Sequence, residues 1–257
     1  MPVEARRLGR RERLGLSVQR AVGRLLSPVW VPATVALMRF GLGWRIEDIA
    51  AARREYRSLW GAGDGPLLVC ANHLTMIDSA LIAWALGSPP WFLAHYAALP
   101  WNVPERRNFA GSLASRLLVY LMKCVPVTRG GDRGAVAGVL GRLVYLLDRG
   151  EAVLVFPEGG RSRSGRVDVE NATYGVGRMI GDLPECRVLC VYLRGEYQDG
   201  FSDLPARGER FHVRLAALRP TSEQKGMRRA RDLAQQVVRT LAQLEQGHFQ
   251  ARTEPLR

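Results

Sequence analysis

From residue 67 onward, short apolar runs alternate with segments of helical length, and this alternation limits the chain to few folds. "LLVCA" (67–71), "CVPVT" (124–128), "AVLVF" (152–156) and "RVLCVYL" (187–193) are nearly uncharged, the pattern of strands covered on both faces. Pro126 confines the second of these to a sheet edge or a strand end. "WFLAHY" (91–96) reads as a further strand, and "RFHVRLAAL" (210–218) alternates like a half-exposed one. Helices are expected over 76–86, stopped by Gly87 and Pro89-Pro90, over 112–122, and over 135–148, stopped by Gly150. A basic amphipathic helix follows over 223–246, ending before Gly247. Strands separated by helices predict an α/β fold: a mostly parallel or mixed sheet flanked by helices, with right-handed crossovers.

Polar clusters follow the apolar runs. Asn72-His73 follows the first, Arg129-Gly130-Gly131 the second, "PEGGRSRSGR" the third and Arg194-Gly195-Glu196 the fourth. If the strands are parallel, all four clusters share the carboxyl rim, where open α/β sheets bind ligands. Histidine changes charge near neutral pH and can accept a proton. Asp78 stands five residues after His73, roughly 140° away on one helix, so they meet only if His73 precedes the helix and Asp78 opens it. Thr75-Met76-Ile77-Asp78 reads equally as a capping box, and the two readings are compatible. Gly159 and Gly160 let backbone N–H groups approach an anion, and Arg129, Arg161 and Arg163 could fork onto a phosphate. Glu158, set among arginines, is expected to be ionised and to orient an arginine or a substrate hydroxyl.

No nucleophile elbow, phosphate-binding P-loop or dinucleotide fingerprint is present. His95, His212 and His248 lack partners at metal-ligand spacing, so neither a metal nor a cofactor is expected. A base, its orienter and a phosphate clamp without a nucleophile imply direct attack by a substrate hydroxyl, with His73 taking its proton.

The net charge of +13 is almost all arginine, which suits nucleic acid, an anionic membrane or a phosphorylated substrate. Basic residues interleaved with aromatics are not evident, so nucleic acid is not expected as a partner. Seven arginines fall in the first 24 residues, interleaved with Leu8, Leu14, Leu16 and Val22, as in a helix lying on an anionic surface. "LLSPVWVPATVALM" (25–38) is uncharged but shorter than the roughly 20 residues of a spanning helix, which fits an interfacial or re-entrant segment. "GAGDGP" (61–66) is the expected boundary between a helical N-terminal part, 1–60, and an α/β domain, 61–257. Cys70, Cys124, Cys186 and Cys190 read as reduced core residues of a cytosol-facing protein.

"NHLTMID" resembles the N-H-x4-D box of the glycerolipid acyltransferases, the family of 1-acylglycerol-3-phosphate acyltransferases. "VFPEGGRS" resembles their F-P-E-G-T-R-S box at the right spacing, and "CVPVTRG" is similar to the intervening block, whose arginine maps onto Arg129. The resemblance spans residues 45 to 215. It implies His73 as general base, Asp78 as its orienter, and Arg129, Glu158, Gly159 and Arg161 as ligands of a phosphorylated acceptor. Asn72 and Gly160, within the same boxes, join the candidate binding residues. The implied donor is an acyl thioester of coenzyme A or acyl carrier protein, and the implied acceptor a lysophospholipid. The implied location is the cytoplasmic face of the inner membrane, peripheral or monotopic, gripped by an N-terminal helical pair over residues 12 to 44. The chain departs from the family pattern at Gly160 (for threonine), in "VDVENATYGVG" (no lysine) and in "VLCVYLRG" (no proline). These positions concern the acceptor, and leave a lyso-ornithine lipid or another lipid alcohol open.

Overall fold

The computed structural model describes residues 8–63, 65–109, 111–128, 130–170 and 172–253. Arg6, Arg7 and Arg129 lie outside them. In chain order the elements are α1 (Arg10–Ala36), a π-helical turn (Leu37–Gly41), β1 (Arg45–Ile46), α2 (Ile49–Gly61), β2 (Leu67–Ala71), α3 (Asp78–Leu86), α4 (Pro89–Ala94), α5 (Arg106–Phe109), α6 (Leu113–Leu121), α7 (Arg133–Asp148), β3 (Val153–Val155), α8 (Tyr174–Asp182), β4 (Arg187–Gly195), β5 (Arg210–Leu218) and α9 (Gly226–Thr253).

The five-stranded sheet has the order β1-β5-β4-β2-β3. β2 is parallel to both β3 and β4, and β5 returns antiparallel to β4, so the expected mixed sheet is observed. Alternation along the strands sends side chains to two cores. Leu68, Cys70, Val153, Val155, Val188 and Cys190 pack with α7, α8 and α9. Leu67, Val69, Ala71, Leu154, Leu189 and Val191 pack with α2 and α3, and with Phe92 of α4. Gly177 lets α8 meet α9 backbone to backbone: a Cβ there would lie 1.7 Å from the Ala230 carbonyl oxygen. All four cysteines are free and buried.

Several elements differ from the sequence reading, each for an identifiable reason. Residues 91–96 are not a strand. Ser88 takes the N-cap position of α4 without a side-chain hydrogen bond, and Pro89 and Pro90 fill its first turn, where no intrahelical N–H is needed. "CVPVT" is not in the sheet. Val125 N donates to Asn102 O (2.8 Å) and Val127 N to Pro104 O (3.0 Å), forming a side ribbon that tolerates Pro126. α9 runs through Gly247, because His248 is buried and Arg166 stacks 3.7 Å from the Phe249 ring. Such contacts outweigh the roughly 1 kcal/mol a mid-helix glycine costs.

The expected N-terminal helical pair is a single helix, α1, closed by the π-helical turn. Pro28 cannot donate to the Arg24 carbonyl, but Ser27 Oγ does so instead (2.7 Å), and the helix continues. One face of α1 is buried through Leu16, Gly23, Ser27 and Val31. The opposite face carries Leu14, Val18, Leu25 and Val29, all exposed. The helix with its π turn is long and apolar enough to cross a membrane by length and composition.

α1 is fastened to the body by a buried polar cluster. Gln19 Nε2 donates to the carbonyls of Tyr120 and Cys124, both at 3.0 Å. Arg20 pairs with Glu151, whose other oxygen accepts from Lys123 Nζ (2.7 Å) and Trp101 Nε1 (2.9 Å). Lys123 spends its remaining donors on the Tyr96 and Leu99 carbonyls. Burial alone would raise the Glu151 carboxyl, but Lys123, Arg20 and Trp101 overcome it and hold the group below the usual range. Glu151→Ala leaves Lys123 without its counter-charge, and is expected to cost about 3–5 kcal/mol in urea unfolding. A loss below about 1 kcal/mol would contradict this role.

Candidate active site

Three of the four polar clusters lie toward one rim, since β2, β3 and β4 are mutually parallel; β2 and β3 end nearly level, and β4 runs on from Val191, the partner of Ala71, to Gly195. The fourth does not follow a sheet strand, and its Arg129 lies outside the described residues. β2 ends at Ala71, and residues 72–77 form the turn into α3. Asn72 bridges to β4: Nδ2 donates to Leu193 O (3.0 Å), and Oδ1 accepts from Leu193 N (2.8 Å). This pairing extends the sheet by one residue and fixes where His73 emerges.

His73 precedes α3 and Asp78 is its first residue, the arrangement their spacing demands. His73 Nδ1 lies 3.0 Å from Asp78 Oδ2. The same oxygen accepts the N–H groups of Leu74 (2.6 Å) and Thr75 (2.8 Å), and Thr75 Oγ1 donates to Oδ1. Asp78 therefore gathers the turn inward. The capping box forms only in part, because the Thr75 hydroxyl serves Asp78 and caps no helical N–H. An acceptor-only carboxylate at Nδ1 assigns the hydrogen there and leaves Nε2 as the basic nitrogen. Phe156, at the end of β3, stacks on the imidazole with centroids 3.9 Å apart and planes 12° from parallel.

The second cluster sits against this pair. Ser162 N donates to His73 O (2.8 Å), joining the two loops directly. Gly159 adopts φ 69°, and a Cβ there would lie 2.5 Å from Thr173 Cγ2, so the tight turn after Pro157 needs glycine. Gly160, Arg161, Ser162 and Arg163 line a cavity of about 700 Å³ with Glu158, Tyr174, Arg231 and Gln235. Arg161 Nη1 donates to Ser202 O (3.0 Å) and Asp203 Oδ1 (2.6 Å).

Glu158 differs from its expected state. It pairs with no arginine among the described residues; Oε2 accepts from Asp168 N (3.2 Å) and Oε1 is buried without a partner. Burial pushes its carboxyl up to about 7, against the pull of backbone donors from Asp168 and His73. Phe156, Ser162 and Asp203 were not singled out by sequence, and Thr75 only as a capping residue. Phe156, Thr75 and Ser162 stand inside the quoted boxes, whereas nothing local connects Asp203 to Arg161, 42 residues away.

The fold and site define an α/β protein with a histidine–aspartate pair on a sheet rim, beside an arginine-bearing loop. The acyltransferase family model matches residues 46–194, more than half of the chain, and the chain belongs to that family. It is an acyltransferase, consistent with the glycerolipid acyltransferases, acting between an acyl donor and a lipid acceptor. No curated protein matches the chain at a significant level.

The Glu158 carboxyl keeps its proton in the folded chain until about pH 7, against an ordinary value of 4.5. Between those values the folded state binds more protons than the unfolded one, so stability falls as pH rises, by on the order of 3 kcal/mol in full. Glu158→Gln stays neutral. Its stability relative to wild type is expected to climb from pH 5 to 7.5 and then level, read from urea midpoints. A difference independent of pH would contradict the buried, protonated carboxyl.

Proposed function

We propose that this enzyme moves a fatty acyl group from a thioester to the hydroxyl of a lysophospholipid such as 1-acylglycerol 3-phosphate, at an anionic membrane surface. The observation that carries the proposal is the His73–Asp78 pair joined, through Ser162 N and His73 O, to the loop bearing Gly160 and Arg161.

In this reading the acceptor phosphate lies against Arg161 and Arg163, with Gly159 shaping the turn and the Gly160 N–H offering a further donor. Arg129 joins them on the strength of the family resemblance. Protonated Glu158 serves as a neutral donor near the acceptor. The acceptor hydroxyl gives its proton to His73 Nε2 as its oxygen attacks the thioester carbonyl. Asp78 stabilises the imidazolium that forms. A backbone N–H near the first box stabilises the oxyanion of the tetrahedral intermediate. Collapse forms the ester, breaks the carbon–sulfur bond and returns the proton to the departing thiolate of coenzyme A or acyl carrier protein. No cofactor takes part.

The exposed apolar stripe of α1, with the exposed Leu113, Leu117 and Leu118 of the neighbouring α6, supports one-leaflet attachment. Buried reduced cysteines support the cytoplasmic face of the inner membrane as the place of action.

The test is purified protein supplied with a panel of lysolipids, including 1-acylglycerol 3-phosphate and a lyso-ornithine lipid, and with both thioester donors. Label is expected in the phosphate-bearing acceptor; label in none would end the proposal. His73→Ala is expected to lower transfer by about 10²–10⁴-fold while anionic-vesicle binding persists. Leu25→Asp with Val29→Asp is expected to do the reverse, releasing the protein from vesicles in flotation while the fold stays intact by circular dichroism.

A further inference from the structure

The connection between β4 and β5, residues 196–209, lies beyond the matched family region, yet it reaches back into the site. Ser202 N donates to Leu74 O (3.0 Å), and Met76 N donates to Asp203 O (3.2 Å). These two bonds form a short ladder against the turn that carries His73 into Asp78. From the same two residues, the Ser202 carbonyl and the Asp203 carboxylate both accept from Arg161 Nη1. The connection therefore touches both boxes at once. Its far end is tied to the segment after α1, through Trp44 Nε1 to Ala206 O (2.7 Å) and Gly208 N to Leu42 O (2.8 Å), so its path is held at both ends.

The way Arg161 is held is informative. Both bonds use one nitrogen, Nη1, while Nε and Nη2 make no hydrogen bond among the described residues. An arginine fork binds phosphate through two parallel N–H groups, and the Nε–Nη2 edge is such a pair. A carboxylate competing for that edge would cap the fork itself. Here the carboxylate grips the opposite corner. The Phe201 ring, 5.5 Å from the guanidinium carbon, adds a second restraint. The Asp203 side chain is 77% exposed, so the ion pair contributes little as bulk stability and acts mainly on the geometry of Arg161.

We infer that Asp203 is a positioning residue for acceptor binding: with the Ser202 carbonyl it pins Arg161 by Nη1 and leaves the Nε–Nη2 edge ready for a phosphate monoester. The inference rests on the proposed role of Arg161 as a phosphate ligand. Pinning an otherwise flexible arginine before the ligand arrives lowers the ordering cost of binding, so its effect belongs in the acceptor KM rather than in kcat.

The experiment uses the full chain on anionic vesicles, with 1-acylglycerol 3-phosphate as acceptor and a saturating thioester. Asp203→Ala is expected to raise the acceptor KM by about five- to tenfold. The donor KM and kcat should stay within about twofold. Asp203→Asn keeps an oxygen acceptor for Nη1 and is expected to restore most of the loss. In an Arg161→Ala background, Asp203→Ala should add nothing further, whereas a merely structural residue would still show its effect. A lower acceptor KM in Asp203→Ala, an unchanged one, or a loss that persists without Arg161 would overturn the inference. If Arg161→Ala itself leaves the acceptor KM unchanged, the phosphate-ligand reading beneath it falls instead, and the two failures are distinguishable.

Discussion

A single carboxylate organises the centre of this protein. Asp78 accepts two backbone N–H groups, one hydroxyl and the imidazole Nδ1, all from the three residues that follow Asn72. A turn that packs so many donors around one acceptor has few ways to rearrange. The imidazole plane is then fixed twice, by Asp78 at its edge and by Phe156 on its face. Remove the negative charge and the turn loses its centre as well as its orienter. Local folding and the proposed chemistry thus rest on the same bonds, and the capping and catalytic readings of this stretch need not compete.

Around that centre the sheet supplies convergence. Parallel β2, β3 and β4 deliver their trailing residues to one rim, and the antiparallel return of β5 brings the β4–β5 connection over the same rim. Hydrophobic burial holds α1 on one face only, through Leu16 and Val31, while Leu14, Val18, Leu25 and Val29 face outward. Its attachment is completed by Gln19, Arg20 and the buried Glu151–Lys123 pair. A helix fastened by polar anchors on one face can leave the other face apolar for a bilayer.

Much of this was legible in sequence, for reasons that particular residues make clear. The runs at 67–71, 152–156 and 187–193 are apolar almost throughout and read as buried strands, and the five-residue step from His73 to Asp78 lets the two meet only if His73 precedes the helix. What sequence missed depends on contacts between distant segments. Pro89-Pro90 stops one helix and starts another, and nothing in the local sequence says which reading applies to the residues after it. Gly247 signals a helix end, yet Arg166 and Arg194 gather on Phe249 and carry the helix past it. Glu158 stands among arginines along the chain, but in the fold it is buried, pairs with none of them among the described residues and lies near the like charges of Glu245 and Asp168, so its carboxyl is pushed up. Asp203 has no local signature at all; its role arises only when the β4–β5 connection folds over the rim.

The central claim, that Asp78 holds an imidazole poised to deprotonate an acceptor alcohol, is tested most directly by single-turnover acyl transfer with Asp78→Asn. Asparagine keeps the size of the side chain but replaces one acceptor oxygen with a donor. The account predicts a rate lower by about 10³–10⁴-fold, with acceptor binding changed only a few-fold. Wild-type transfer from Asp78→Asn would contradict it.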